Sequence, residues 1–424
     1  MLEQSRIKLG SRANLHVCRT DKFKSGFLSV NLLLPTEKKT ASHAALLPRV
    51  LLRGTEAHPD LAAISEVSDS LYGAKISSVR RRFGETASLG LAAQFLERGI
   101  PGQDGGEIFA GAAALLAEVL LRPRTENGGF FDAYVKSESK NQLDAVRAEI
   151  NNKTGYALRA AIRKMCEGEP FGENTLGDEE ILAAITPCGL LDFHAALLSR
   201  APIEIFYIGA QEAQTVAELV SRELSALLRG GAASPLPETV FRQPETVRRF
   251  TEKMDVTQGK LTLGWRFGQS TVKNEDAAAF AVFNAVFGGS LTSKLFVNVR
   301  ERLSLCYYAQ SIADSKKGIL CAASGVEFAK LREAEDEILR QLEAIKDGDV
   351  TEEELSAAIR SEKTDFLTGL DSAQGLEDTL YSLYMNGYSG TAPEYAERFS
   401  RVTRQRVTEI ARDTILDTVF TLEG

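Results

Sequence analysis

Hydrolysis at a helix-borne metal needs two ligands one turn apart and a carboxylate to take a proton from water. The chain has four histidines, at 16, 43, 58 and 194, and no two of them stand four apart. No helical histidine pair can form. The five cysteines, at 18, 166, 188, 306 and 321, are odd in number, widely spaced and include no C-x-x-C, so free thiols in a reducing cytoplasm are expected. Neither the nucleophile turn G-x-S-x-G nor a phosphate loop (G-x-x-x-x-G-K-[ST] or G-x-G-x-x-G) occurs. Cys306 adjoins an aromatic pair with no histidine near it in sequence, which reads as a structural thiol. The stretch GGSLTSKLFVNVRERLSLCYYAQS (288–311) carries an arginine, Arg300, and a tyrosine, Tyr307. An arginine supplies a rigid fork of N–H donors and a tyrosine supplies a phenolic donor. In an arbitrary context, such an arginine would pair with the next carboxylate and such a tyrosine would be core.

The elements that must position these residues form an α+β pattern. Residues 28–34 (LSVNLLL) read as a strand, 41–53 and 60–71 as helices, and 74–82 and 86–94 as two further strands. Helical periodicity then dominates from about 107 to 200, before the strand IEIFYIGA at 203–210. Later, residues 331–348 carry one apolar stripe ending at Gly348, and TEEE at 351–354 is a capping box.

A length of 424 residues with 44% hydrophobic content suits two domains. GGAASPLPETV at 230–240 is the clearest linker. The expected organisation is a domain over 1–229, a linker over 230–243 and a second domain over 244–424. The halves repeat. At an offset of 235, Gly54 falls on Gly289, Thr55 on Ser290, Glu66 on Glu301 and Tyr72 on Tyr307, and Gly84 meets Gly318 after a one-residue gap. Both halves close on a strand ending in glycine, which points to duplication.

The net charge of −8, with both signs scattered, argues against a nucleic-acid binder. Arg80, Arg81 and Arg82 read as an exposed strand end. No apolar leader opens MLEQSRIKLG, and no run approaches the roughly 20 apolar residues of a membrane span. A cytoplasmic location is the expectation.

Two α+β halves of this layout resemble the insulinase or pitrilysin family of zinc peptidases, over essentially the whole chain. The family carries H-x-x-E-H on a helix leading into a Gly-Thr turn. Here HAALLPRVLLRGT (43–55) holds that place, and its RGT sets the register. The resemblance puts the first histidine at Ala45, the glutamate at Pro48 and the second histidine at Arg49. Alanine cannot ligate a metal, proline has no carboxylate, and arginine keeps its positive charge. Pro48 would also kink a helix interior. His43 is off register, and a capping or surface role is expected for it. A third family ligand, a glutamate in a V-x-x-E context, matches Glu149 in AVRAEINNK.

The stretch at 288–311 resembles the family's C-terminal signature through Leu295-Phe296, Arg300-Glu301 and Tyr307, with Ser304 where the family usually has glycine. The resemblance implies that Arg300 and Tyr307 hold peptide and stabilise an oxyanion. It further implies a metal-free subunit, with no cofactor of its own, whose partner is a homologous chain bearing H-x-x-E-H and the zinc. A homodimer when that partner is absent, and a non-enzymatic peptide-binding or assembly scaffold, are the other expectations. Nucleic acid and membrane are not among the expected partners.

Overall fold

The computed structural model describes residues 2–99, 102, 104–267 and 277–424. It divides into two compact units. The first comprises Met1–Arg147, Glu173–Glu238 and Leu370–Tyr381, and the second Ala148–Gly172, Thr239–Gly369 and Ser382–Gly424. One division lies at Glu238–Thr239. Two segments depart from simple halving: residues 148–172 belong with the second unit and 370–381 with the first.

Unit 1 is built on a six-stranded sheet with the order β1 (Glu3–Lys8), β2 (Ala13–Arg19), β6 (Ile203–Gly209), β3 (Ser25–Pro35), β5 (Thr86–Leu96), β4 (Lys75–Phe83). Pairing is antiparallel except between β2 and β6. Residues alternate across a strand, so the two faces of β3 differ. Leu28, Val30, Leu32 and Leu34 join the main core, together with leucines of α1 (Lys38–Leu51) and α3 (Gly105–Leu121), whereas α2 (Leu61–Ser70) has no buried residue. Ser29 and Asn31 point the other way. That second face is covered by residues 370–381, where Tyr381 is fully buried against Phe83 and Phe206.

Unit 2 has a five-stranded sheet with the order β9 (Cys306–Asp314), β10 (Ile319–Val326), β8 (Gly259–Phe267), β11 (Thr414–Glu423), β7 (Arg248–Lys253). Read from the β7 end, its order and directions reproduce the β2-β6-β3-β5-β4 part of the first sheet, including one parallel pair, β7 with β11. This shared topology is stronger evidence for duplication than the matching letters. One of those letters is out of place. Tyr72 lies in the turn before β4 with φ +57°, whereas Tyr307 is the second residue of β9, where β4 has Ile76.

In unit 2 the segment 148–172 contributes α5 (Lys153–Met165), whose Ala157, Ala160 and Ala161 pack on Phe420 and Leu422 of β11. Asn152 caps it by accepting from the Gly155 N–H at 3.0 Å. Behind α5, Arg266 of β8 is clamped between Glu169 and Asp417, and Lys317 reaches the same Glu169 at 2.6 Å, all four being buried. Elsewhere in this unit the expected helix runs from Leu331 to Lys346, and Thr351 and Glu354 form the capping box reciprocally.

Candidate functional site

Helix α1 opens with a capping box, in which the Thr40 hydroxyl receives the Glu37 N–H at 3.0 Å. It continues through Pro48 for about one further turn. Proline this near the C-terminal end removes one backbone bond without ending the helix. Ala45 and Pro48 are buried, so both are packing residues. The turn that follows is locked. A side chain at Gly54 would place its Cβ 2.3 Å from the Pro59 carbonyl. The fully buried Thr55 donates to Glu118, which also meets His58 Nδ1 at 2.8 Å. RGT therefore has a structural reason to persist without a metal.

Arg49, in the second-histidine position, leans on a carboxylate. Its Nε donates to Glu138 of α4 (Asp132–Ala148) at 3.2 Å, and Arg53 Nη1 donates to the other Glu138 oxygen at 2.7 Å. Asn141 adds a third donor at 3.2 Å. Glu138 is buried, and the two arginines saturate it. Arg80 on β4 is held below the usual arginine range by burial and then by the like charge of Arg49. A positive field thus occupies the ground a cation would need. Among the described residues, no group of three or more His, Cys, Asp or Glu side chains is placed to hold a metal ion. These residues do not fit zinc.

The remaining candidates have partners of their own. Glu149 begins a 3₁₀ turn after α4, and its carboxylate pairs with Arg159 at 2.5 Å and Arg163 at 3.5 Å, both on α5. The carboxylate beside the degenerate motif is Glu138. Its sequence signal was available: Val135, Glu138 and Gln142 are the buried positions of α4, at i, i+3 and i+7. A carboxylate in a buried stripe implies a buried cation. His43 is neither cap nor surface. It is buried, its Nδ1–H donates to the Lys39 carbonyl at 2.9 Å, and its ring lies 5.1 Å from that of Phe193. Burial lowers its pKa below the ordinary histidine value.

In unit 2, the helical run Leu295–Arg302 is anchored by buried Leu295 and Val299. Arg300 is 40% exposed, lies over the Phe296 ring at 4.6 Å and approaches Glu301 at 3.6 Å. Ser304 then takes φ +48°, the left-handed turn that delivers the chain to β9. This gives the glycine of the family signature a physical meaning, since glycine adopts such a φ without steric cost. At the start of β9 the ladder with β10 slips between Cys306 and Tyr308. The bulge separates the two tyrosines. Tyr308 packs inward over Gly325, while Tyr307 stands 62% exposed. Arg300 is close enough for its charge to draw the Cys306 thiol down, against the larger upward push of burial. Arginine and tyrosine are thus both presented outward around the start of one edge strand.

Residues 184–362 match the family model described as the peptidase M16 inactive domain. The chain is 29% identical to YmfF of Bacillus subtilis, a probable inactive metalloprotease, over 96% of this chain and 95% of that one. The chain is thus similar to M16 peptidases and, over nearly its whole length, to a probable inactive metalloprotease. An uncharacterized zinc protease of the same organism, YmxG, is 26% identical over 67% of this chain and 69% of its own. A conserved protein from Enterococcus faecalis V583 superposes with a TM-score of 0.90 at 24% identity, covering 99% of this chain and 98% of that one. The α+β fold is therefore that of M16 proteins. The degenerate motif of α1 agrees with the inactive member among these relatives. Among the described residues, no helix is long and apolar enough to cross a membrane.

Proposed function

We propose that this M16 chain is the metal-free subunit of a two-chain peptidase, located in the cytoplasm, whose zinc is held by a homologous partner carrying H-x-x-E-H. The observation that carries this reading is the contrast between the two units. In unit 1 the motif positions are filled by Ala45, Pro48 and Arg49, with Arg49 tied to Glu138. In unit 2 Arg300 and Tyr307 are held outward by buried neighbours, and neither serves as core.

In this role the Tyr307 hydroxyl donates to a peptide carbonyl oxygen as negative charge develops on it. Arg300 holds a second carbonyl or a carboxylate of the substrate. A fixed donor contributes most where charge appears in the transition state, and removing one typically costs about 2.7–4 kcal/mol. The test is reconstitution with the zinc-bearing homologue and a quenched fluorescent peptide. Tyr307→Phe should lower kcat by about 100- to 1,000-fold while the complex still assembles. Full activity of the Arg300→Ala, Tyr307→Phe double variant would overturn the reading.

A second reading, a non-enzymatic peptide-binding or assembly scaffold, is favoured by one observation. β4 and β9 are edge strands, and an edge offers unpaired backbone groups to an extended peptide. A partner chain that itself lacks the metal motif would select this reading, as would a homodimer showing no hydrolysis.

A further inference from the structure

The three consecutive arginines of β4 do not share one environment. Register with β5 sets Arg80 opposite Leu89, Arg81 opposite Ser88 and Arg82 opposite Ala87. Since successive side chains alternate, Arg81 projects to the face covered by residues 370–381, where Glu377 and Asp378 take its charge. Arg80 and Arg82 project to the α1 face. There a cleft of about 290 Å³ opens between α1 and the β4–β5 hairpin. Thr36, Ala41, Ala44, Arg80, Arg82 and Leu89 line much of it.

Two features make this cleft a built site. Arg80 is exposed and has no carboxylate partner among the described residues; it donates to the Thr175 carbonyl at 3.2 Å, so the rest of its five N–H donors face solvent and are open to an anion. Thr36 is only 3% exposed, yet its hydroxyl has no hydrogen-bond partner among the described residues. Such orphaned buried groups are uncommon and call for an explanation. The acids nearby are committed: Glu138 is held by Arg49 and Arg53, and Glu377 by Arg81. Glu85 is buried in the hairpin turn and is not part of the lining. The small side chains of Ala41 and Ala44 leave the space open. Its volume lies at the lower end for ligand sites, which suits one side chain or one chain terminus rather than a whole cofactor.

We propose that this cleft binds a carboxylate of an extended peptide, with Arg80 as its ion-pair partner and the Thr36 hydroxyl as a further donor. An anion there offsets both the desolvation of Arg80 and the like charge of Arg49, which together hold its guanidinium below the usual range. The carboxylate could come from an acidic side chain or from a C-terminus, and the two sources share this chemistry. The inference rests on the reading that the chain handles peptides, and it needs neither the zinc-bearing partner nor hydrolysis.

The experiment is fluorescence anisotropy on the full chain alone. The probe is the fluorescein-labelled pentapeptide Ala-Ala-Leu-Ala-Glu, amidated at its C-terminus. It is compared with the glutamine peptide carrying a free C-terminus and with the glutamine peptide amidated. At least one carboxylate-bearing peptide should bind about 10- to 100-fold tighter than the neutral one, and which one does so identifies the source. Arg80→Gln should erase that difference with an unchanged denaturation midpoint, and Thr36→Val should reduce it. Equal binding of all three peptides, no binding at a peptide concentration of about 1 mM, or a difference that survives in Arg80→Gln overturns the proposal. Loss of this discrimination with reconstituted peptidase activity intact removes the cleft proposal alone. The reverse outcome removes the two-chain reading alone.

Discussion

Arg49 Nε meets the Glu138 carboxylate at 3.2 Å, and Arg53 takes the opposite oxygen of the same group. A cation standing at a family ligand position is thus neutralised from within the fold, and the site is closed electrostatically. Glu138→Gln would leave Arg49, Arg53 and Arg80 with one less negative charge among them. Both pairing arginines keep some solvent contact, so screening reduces the cost below that of a fully buried pair. The expected loss is about 1–2 kcal/mol in urea denaturation, partly recovered at high salt. No loss at low ionic strength would contradict this account.

Ser304 adopts φ +48° between the Leu295–Arg302 run and β9. A non-glycine residue in this region carries a steric cost of about 1–2 kcal/mol. Ser304→Gly removes that cost but adds freedom to the unfolded chain, so a net gain of roughly 0.5–1 kcal/mol is expected. The measurement is the urea midpoint at constant slope. Because Arg300 and Tyr307 flank this turn, reconstituted activity should be unchanged or slightly higher.

Glu377 is buried against the Ser29 hydroxyl, which donates to it at 2.5 Å, and against Arg81. Burial raises its pKa to about 7, with Arg81 and Ser29 pulling downward and Asp378 adding to the rise. An acid with a raised native pKa keeps its proton longer in the folded state. Stability from this group is therefore present below the ordinary glutamate pKa and falls as pH rises from about 4.5 to about 7. The predicted size is on the order of 2–3 kcal/mol between pH 5 and pH 8. Glu377→Gln should flatten that part of the stability profile, and an unaltered slope would refute the assignment.

Much of the architecture was legible because it depends on local pattern. The apolar run at Leu28–Leu34 and the strand expected at 86–94 appear as β3 and β5, and the capping signal at Thr351 is made as written. The exchange of segments was not legible. Periodicity shows that α5 has an apolar face but does not say which sheet receives it, and Ala157, Ala160 and Ala161 would pack on either. The RRR run likewise hid its division, which only strand register reveals: Arg81 to one face, Arg80 and Arg82 to the other. At the candidate site, the residue types at 45, 48 and 49 show directly that the ligand, base and ligand of the family motif are missing from those positions. Finding Glu138 required the helix stripe of α4, on which Glu149, in the 3₁₀ turn after that helix, does not lie. The match of Tyr72 to Tyr307 was one of letters; the turn lengths before β4 and β9 differ in the positions they give each tyrosine.

The two exchanged segments are fastened by the same device. Glu377, from the C-terminal half, meets Arg81 of the first sheet, and Glu169, from the N-terminal half, meets Arg266 of the second. The second case is the more deeply buried, with Lys317 on the same carboxylate at 2.6 Å and Asp417 on Arg266 at 2.7 Å. Two cations share Glu169, and their donors overcome its burial and hold its pKa below the usual glutamate range. Glu169→Gln would leave Lys317 and half of the Arg266 fork buried without a counter-charge, a change that typically costs about 3–5 kcal/mol. The pH sign is opposite to that of Glu377: stability from Glu169 is present above the ordinary glutamate pKa and is lost as pH falls below it. Hydrogen exchange gives the local readout. In Glu169→Gln, amides of α5 should lose protection before those of β3 and β5 in unit 1. Uniform loss across both units would mean that the segment is held by its apolar packing rather than by this charge cluster.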